Sequence, residues 1–199
     1  MTNDTTSKIC VVIFNFKIKI VLRLCFIKIE LYNSCFLFQT VTVTNKSMSP
    51  QIFEQSIRIK ASSVITEECL TDLKLMHRWL NPLVQCKPIG VWNTQVGSLS
   101  RFTIKIPLLE PSLRSVVAQR EPGLIVWEFD GFFKGRDRWE CQPTKDGTIL
   151  LNRFEFEIPN PIVNWGFNNF AAGLTKRDMQ AQLKRLKRVA EEVYRLSDR

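Results

Sequence analysis

From residue 53 onward, apolar and polar side chains repeatedly alternate, the two-residue period of a strand with one buried face. In the first run Phe53, Gln55, Ile57 and Ile59 oppose Glu54, Ser56, Arg58 and Lys60. Val84–Pro88 is a short second run, and in Gly97–Ile106 the apolar Phe102, Ile104 and Ile106 oppose Arg101, Thr103 and Lys105. Ser112–Gln119 follows Pro111, and Leu124–Phe129 puts Ile125, Trp127 and Phe129 on one side. Arg136–Gln142 sets Trp139 and Cys141 against Arg138 and Glu140. Thr148–Ile158 sets Leu150, Asn152, Phe154, Phe156 and Ile158 against Arg153, Glu155 and Glu157. Between the last two runs, Asp146-Gly147 reads as a hairpin turn.

Twice the period lengthens to three and four. Val64–Leu80 is predicted helical, capped by Ser62 or Ser63, with Glu67 and Glu68 in its early turns. It breaks once near Asp72 and stops at Asn81-Pro82. Pro161 suits a first helical position, and a long helix is expected from about Ile162 to Leu196. Phe167, Phe170, Leu174, Leu183, Leu186, Ala190 and Val193 recur on one side of it. The predicted class is α+β: one strand, two short helices, six more antiparallel strands and a long amphipathic C-terminal helix. A curved sheet of six or seven strands must bury that helix on its concave face, which leaves room for a cavity between them.

Several short motifs, in this order and spacing, resemble the START-like superfamily (polyketide cyclase/dehydrase and lipid transport). They are Thr71-Asp72-Leu73, Trp79-Leu80-Asn81-Pro82, Val96-Gly97-Ser98, the run from Glu121-Pro122-Gly123 to Trp127-Glu128-Phe129, and the Gly131/Gly135 pair. Trp139-Glu140-Cys141-Gln142-Pro143 and Asp146-Gly147-Thr148 complete the set, and the resemblance runs from about Phe53 to Tyr194. It implies a helix-grip fold with a cavity for a hydrophobic small molecule such as a lipid, isoprenoid, quinone or polyketide. It fixes no activity, because that superfamily mixes carriers, chaperones, cyclases and regulators. Carriage or chaperoning of the bound molecule is the first reading; a cyclase or dehydrase, or a regulatory module without ligand, are the alternatives.

Strand parity sorts the expected cavity lining. Phe102, Ile104, Ile106, Ile125, Trp127, Phe129, Trp139, Phe154 and Phe156 should face the long helix, with Phe167, Phe170 and Leu174 facing back. Asp137 and Asn152 share that face, where a buried polar group needs a partner in the protein or in a ligand. The loops at 107–111, 130–135 and 158–161 fall at one end of the sheet and lead in or out through Leu108, Leu109, Phe132, Phe133 and Trp165. These apolar tips either form a cavity mouth that touches a membrane or ligand, or fold inward and plug the end of the sheet.

Much chemistry is excluded. The chain has no GxSxG, GxxxxGK[ST], HExxH or GxGxxG motif. The six cysteines, Cys10, Cys25, Cys35, Cys69, Cys86 and Cys141, include no CxxC pair and, with His77 the single histidine, suit no metal site. No cofactor is implied. Cys69, Cys86 and Cys141 read as reduced core thiols, which points to the cytoplasm. The formal charge is +9, and the basic run Lys184, Arg185, Lys187, Arg188 is followed by Glu191 and Glu192. That pattern reads as a solvated helix face, with contact to an anionic membrane surface as the alternative and nucleic acid not expected as a partner.

Residues 1–47 differ in kind. They contain no Ala, Gly, Pro or Trp, and the second Met of the chain, Met48, falls at the break. Lys17, Lys19, Arg23, Lys28 and Glu30 interrupt the apolar run too often for a spanning helix. The amino acids present are those of AT-rich codons. The reading is that 1–47 is a non-native or disordered extension, and that 48–199 is the ligand-binding domain, starting at Met48. Peptide mapping of the native protein is expected to find Met48 at or near the N-terminus and no abundant peptide from 1–47; such peptides in quantity would refute it.

Overall fold

A computed structural model of the chain describes residues 50–105, 110–131, 133–158, 164 and 172–197, with the backbone alone at Leu174. The fold lies in the unit formed by Ser49–Pro159 and Thr175–Arg199. The elements are β1 (Gln51–Ile59), α1 (Ser63–Thr71), α2 (Leu73–Trp79), β2 (Val84–Ile89), β3 (Leu99–Ile104), β4 (Ser112–Glu121), β5 (Leu124–Gly131), β6 (Lys134–Thr144), β7 (Gly147–Glu157) and α3 (Ala172–Ser197). All seven strands are antiparallel, in the order β1-β7-β6-β5-β4-β3-β2. This curved sheet with its long C-terminal helix is the helix-grip architecture.

The register confirms the parity expected for the strands. One cross-strand row on the inner face runs Phe53–Phe154–Asp137–Trp127–Val117. The next runs Gln55–Asn152–Trp139–Ile125. The opposite face carries the charges. Arg153 bridges Glu54 at 2.7 Å and Glu155 at 2.5 Å, Arg136 meets Glu128 at 2.5 Å, and Arg138 meets Glu140 at 2.9 Å. Such exposed pairs contribute little each, but they mark the face that water keeps.

The break in the first helical segment has a clear cause. The carboxylate of Asp72 accepts from the Leu75 N–H at 2.8 Å, capping α2, while its own N–H donates to Glu68 O at 2.8 Å and ends α1. Ser62 caps α1, accepting from the Ile65 N–H at 3.3 Å. The hairpin between β6 and β7 differs by one residue from expectation. Thr144 pairs with Gly147, so the two-residue loop is Lys145-Asp146 and Gly147, with φ +135°, opens β7. An added Cβ at Gly147 would stand 2.2 Å from Ile59 O, which explains the glycine by close approach of the backbone.

Leu183, Leu186, Val189 and Ala190 of α3 are buried and join Leu150, Cys141, Ile125, Trp127 and Val117 of the sheet with Leu70, Met76 and Trp79 of the short helices. Polar contacts fasten this seam on both sides. Arg185 Nε donates to Trp79 O at 2.8 Å, taking an orphan carbonyl at the end of α2. Lys187 Nζ donates to Arg58 O at 2.8 Å, and Glu191 accepts from the Lys60 N–H at 2.9 Å. Half of the basic run expected to be a solvated face is thus tied into the fold; Lys184 and Arg188 stay exposed.

Glu67 of α1 holds the β4–β5 turn. One carboxylate oxygen pairs with Arg120 and the other accepts from the Gly123 N–H at 2.5 Å. Gly123 has φ +76°, where a Cβ would lie 2.9 Å from Cys141 O. Glu67→Ala should destabilise by about 2 kcal/mol, since it takes the carboxylate from Arg120 and strands a turn N–H, and Gly123→Ala by about 1–3 kcal/mol through strain. Urea denaturation of the two variants checks both; wild-type midpoints would refute this account of the turn.

Candidate functional site

The inner face of the sheet divides into two regions. Around Ile59, Leu150, Cys141, Ile125, Trp139, Val117 and Cys86 it is closed, packed against α1, α2 and α3. Beyond that cluster, five phenyl rings gather where β1, β7, β6 and β5 run side by side. Phe53 meets Phe156 edge-on with ring centres 5.5 Å apart, Phe154 meets Phe156 at 5.0 Å, and Phe133 meets Phe156 at 5.5 Å. Phe129 and Phe154 stack at 5.2 Å, 14° from parallel, although β6 lies between their strands. They can meet because β6 places Gly135 at that level, opposite both Phe129 and Phe156, where no side chain intervenes. Phe53 and Phe154 stay only half-buried.

A polar chain is set into this aromatic surface. Asn152, 2% exposed, donates from Nδ2 to Asp137 Oδ1 at 2.7 Å and to Arg138 O at 3.3 Å, and its Oδ1 accepts from Gln55 Nε2 at 3.4 Å. The Asp137 side chain also takes a hydrogen bond from Trp139. Burial pushes Asp137 up from 3.8 to about 6, against the opposing pull of those hydrogen bonds. Asp137 nonetheless keeps some accessible surface, as does Gln55. The result is a desolvated, reachable acid that changes charge near neutral pH, with an amide chain behind it.

Of the residues expected to line a cavity, Phe129, Asp137, Asn152, Phe154 and Phe156 come together here. Ile125, Trp127 and Trp139 lie on the same face but are buried in the closed cluster, Trp139 against Trp79 at 5.5 Å between ring centres. Phe102 and Ile104 are half-buried on β3. Phe133 belongs with the aromatic group rather than standing as an isolated loop tip. Ile106, Leu108, Leu109, Phe132, Trp165, Phe167 and Phe170, the side chain of Leu174, the start of the last helix near Ile162, and residues 1–47 lie outside the described residues.

Three contributors are not among the expected site residues. Alternation puts Phe53 and Gln55 on the buried side of β1, but only the pairing of β1 with β7 brings them beside Phe154 and Asn152. Ser115 of β4 shares the inner face with Leu113 and Val117; its Oγ is buried and has no hydrogen-bond partner among the described residues. Elsewhere the reactive side chains are used structurally. His77 Nε2 accepts from the Cys86 N–H at 3.2 Å. Burial raises the thiols of Cys69, Cys86 and Cys141 to about 12, so they stay protonated and unreactive. Among the described residues no cluster of His, Cys, Asp and Glu has the arrangement of a metal site.

Comparison with known proteins places this geometry. The family described as Polyketide cyclase / dehydrase and lipid transport matches residues 50–191. No curated protein matches the chain in sequence. Among solved structures, a protein from Thermus thermophilus is similar with a TM-score of 0.60 and 14% identity, covering 72% of this chain and 99% of its own. The Zhui aromatase/cyclase from Streptomyces sp. R1128 gives 0.59 and 13%, with 71% and 94% covered. A START superfamily protein from Mycobacterium smegmatis gives 0.53 and 17%, with 73% and 97% covered. At these identities the likeness is one of fold.

Because Asp137 holds its proton more tightly in the folded than in the unfolded chain, its contribution is most favourable below about pH 4 and is lost as pH rises through about 6. Two units amount to about 3 kcal/mol at most. Asp137→Asn should therefore gain stability over the wild type progressively between pH 4 and pH 7, read from urea denaturation across that range. A constant difference between the two proteins would refute the burial of this acid.

Proposed function

The chain belongs to the Polyketide cyclase / dehydrase and lipid transport family, and we propose that it binds a hydrophobic small molecule on the inner face of its sheet, against the phenylalanine cluster, and carries it. One observation supports this above the rest: the Asp137–Asn152–Gln55 chain sits within an aromatic surface that the core packing leaves partly accessible. Apolar walls with a few placed polar groups are the usual composition of a small-molecule site, the walls supplying affinity and the polar groups orientation. Contact with the ligand removes apolar area from water at ~25 cal/mol per Å² before ordering costs. Among the described residues no helix is long and apolar enough to cross a membrane. A cytoplasmic carrier that touches a membrane surface transiently fits the reading.

Acid–base chemistry on the bound molecule is a second reading, favoured by the position of Asp137. A carboxyl group raised to about 6 within reach of a ligand is suited to passing a proton near neutral pH. The two readings share the same surface and part on turnover: carriage returns the molecule unchanged.

Native mass spectrometry of the purified full chain, followed by organic extraction, should show a bound apolar compound. The neutral fluorophore N-phenyl-1-naphthylamine should bind saturably. Phe154→Ala should weaken it by on the order of tenfold, as expected for the loss of a large apolar contact, while Glu155→Gln on the opposite face should leave it unchanged. No extractable compound together with no saturable probe binding would overturn the proposal.

A further inference from the structure

The carboxylate of Asp137 has an unusual charge environment. Its cross-strand neighbours on the inner face are Trp127 and Phe154, and its neighbours along β6 on that face are Gly135 and Trp139. None is charged. The two arginines beside it in sequence point the other way: Arg136 pairs with Glu128 and Arg138 with Glu140 on the outer face. Arg120 of β4, which aligns with Ile125 of β5, is held by Glu67. Among the described residues, then, no cation pairs with Asp137.

Its hydrogen bonds are satisfied on one side only. Both N–H groups of Asn152 are spent, on Asp137 and on the Arg138 carbonyl, and Trp139 supplies one more donor. An ionised carboxylate accepts at roughly four lone-pair positions, so acceptor capacity remains. The Gln55 carbonyl oxygen, a further acceptor, stands next in the chain. The polar part of the site therefore offers negative charge and acceptors, and the donors nearest the carboxylate, those of Asn152 and Trp139, are already engaged. Around it stand the faces and edges of Phe53, Phe129, Phe154 and Phe156.

An uncompensated carboxylate beside a group of aromatic rings is complementary to one chemical group above others. Buried charges require a partner, and aromatic faces attract cations that have left water. We propose that the ligand of this site is an apolar molecule bearing an organic ammonium group, whose N–H donors and charge meet Asp137 while its apolar body lies on the phenylalanines. This rests on the reading that the inner face binds a small molecule, and it narrows that reading to a cationic class. Carboxylate-bearing amphiphiles are disfavoured by the same geometry, since their charge would face that of Asp137.

Three probes of one shape separate the contributions: 2-phenylethylammonium, its uncharged isostere n-propylbenzene, and the anion 3-phenylpropanoate, each titrated into the full chain at pH 7.5. The ammonium should bind at least tenfold tighter than n-propylbenzene, and 3-phenylpropanoate weakest of the three. In Asp137→Asn the preference for the ammonium over n-propylbenzene should vanish. If n-propylbenzene equals or exceeds the ammonium in the wild type, or if Asp137→Asn keeps the preference, the ammonium assignment is overturned while apolar binding stands. If none of the three binds while N-phenyl-1-naphthylamine does, the ammonium assignment is overturned and the small-molecule reading stands; if that fluorophore fails to bind as well and no compound is extracted, the small-molecule reading falls and takes this assignment with it. Retained n-propylbenzene binding by the variant also shows that it is folded.

Discussion

A single sheet with one apolar face has to keep that face from water, and the rest of this molecule follows from how it does so. Seven antiparallel strands place every second side chain inward. In the closed region the cover is supplied by α1, α2 and the C-terminal helix, whose Leu183, Leu186 and Ala190 are almost completely buried. Apolar packing alone leaves a helix free to slide along its groove. The contacts of Arg185 with the Trp79 carbonyl, Lys187 with the Arg58 carbonyl and Glu191 with the Lys60 N–H remove that freedom by fixing the helix to backbone at three places. They also satisfy groups at the ends of β1 and α2 that would otherwise depend on water.

The remaining inner surface follows a different rule. There the strands present phenylalanines and a polar chain in place of the aliphatic, sulfur and indole side chains of the closed region. A core under selection for stability alone has no use for Asp137: a leucine-like side chain would avoid the cost of desolvating a carboxyl group. The structure limits that cost with donors from Asn152 and Trp139, and it does not remove it, since the acid remains well above its ordinary range. A polar group retained at a net cost, in a place still reachable from outside, is better explained by binding or chemistry than by folding. Ser115, a hydroxyl without a partner among the described residues, bears a similar cost on β4, though it is closed off from outside.

How much of this could be read from the chain depended on whether the controlling interaction was local. Strand alternation is local, and it sorted inner from outer residues correctly through β3, β5, β6 and β7, because one slip of register would have turned arginines and glutamates inward. The break near Asp72 was also legible: a short acceptor side chain in mid-helix competes with the backbone and favours a cap. The β6–β7 turn was misplaced by one residue. Asp-Gly is a strong local turn signal, but here the approach of Ile59 and Lys60 claims Gly147 for the start of a strand. Gln55 lay beyond local reading, since its relation to Asn152 depends on β1 pairing with the last strand, 97 residues away in sequence. Trp139 shows the converse. Its parity was right, yet two indoles meeting at 5.5 Å place it in the closed region with Trp79.

The division of labour among titratable groups ties these points together. His77, Glu67, Asp72 and Glu191 each hold a backbone N–H, and three thiols are kept protonated by burial. All of them work within or against the closed region. Asp137 alone among the carboxyl groups described is pushed upward, and it lies among the phenylalanines outside that cluster. Its hydrogen bonds run to Asn152 of β7 and Trp139 of β6, two strands with partners on both sides, beside the phenylalanines of β1, β5 and β7. Central strands are the best supported places in a sheet, so an acid mounted there keeps its position whether or not it holds a proton. Such a group can change its charge when a partner arrives without asking the fold to change as well, which is the physical requirement for a binding site built into a core.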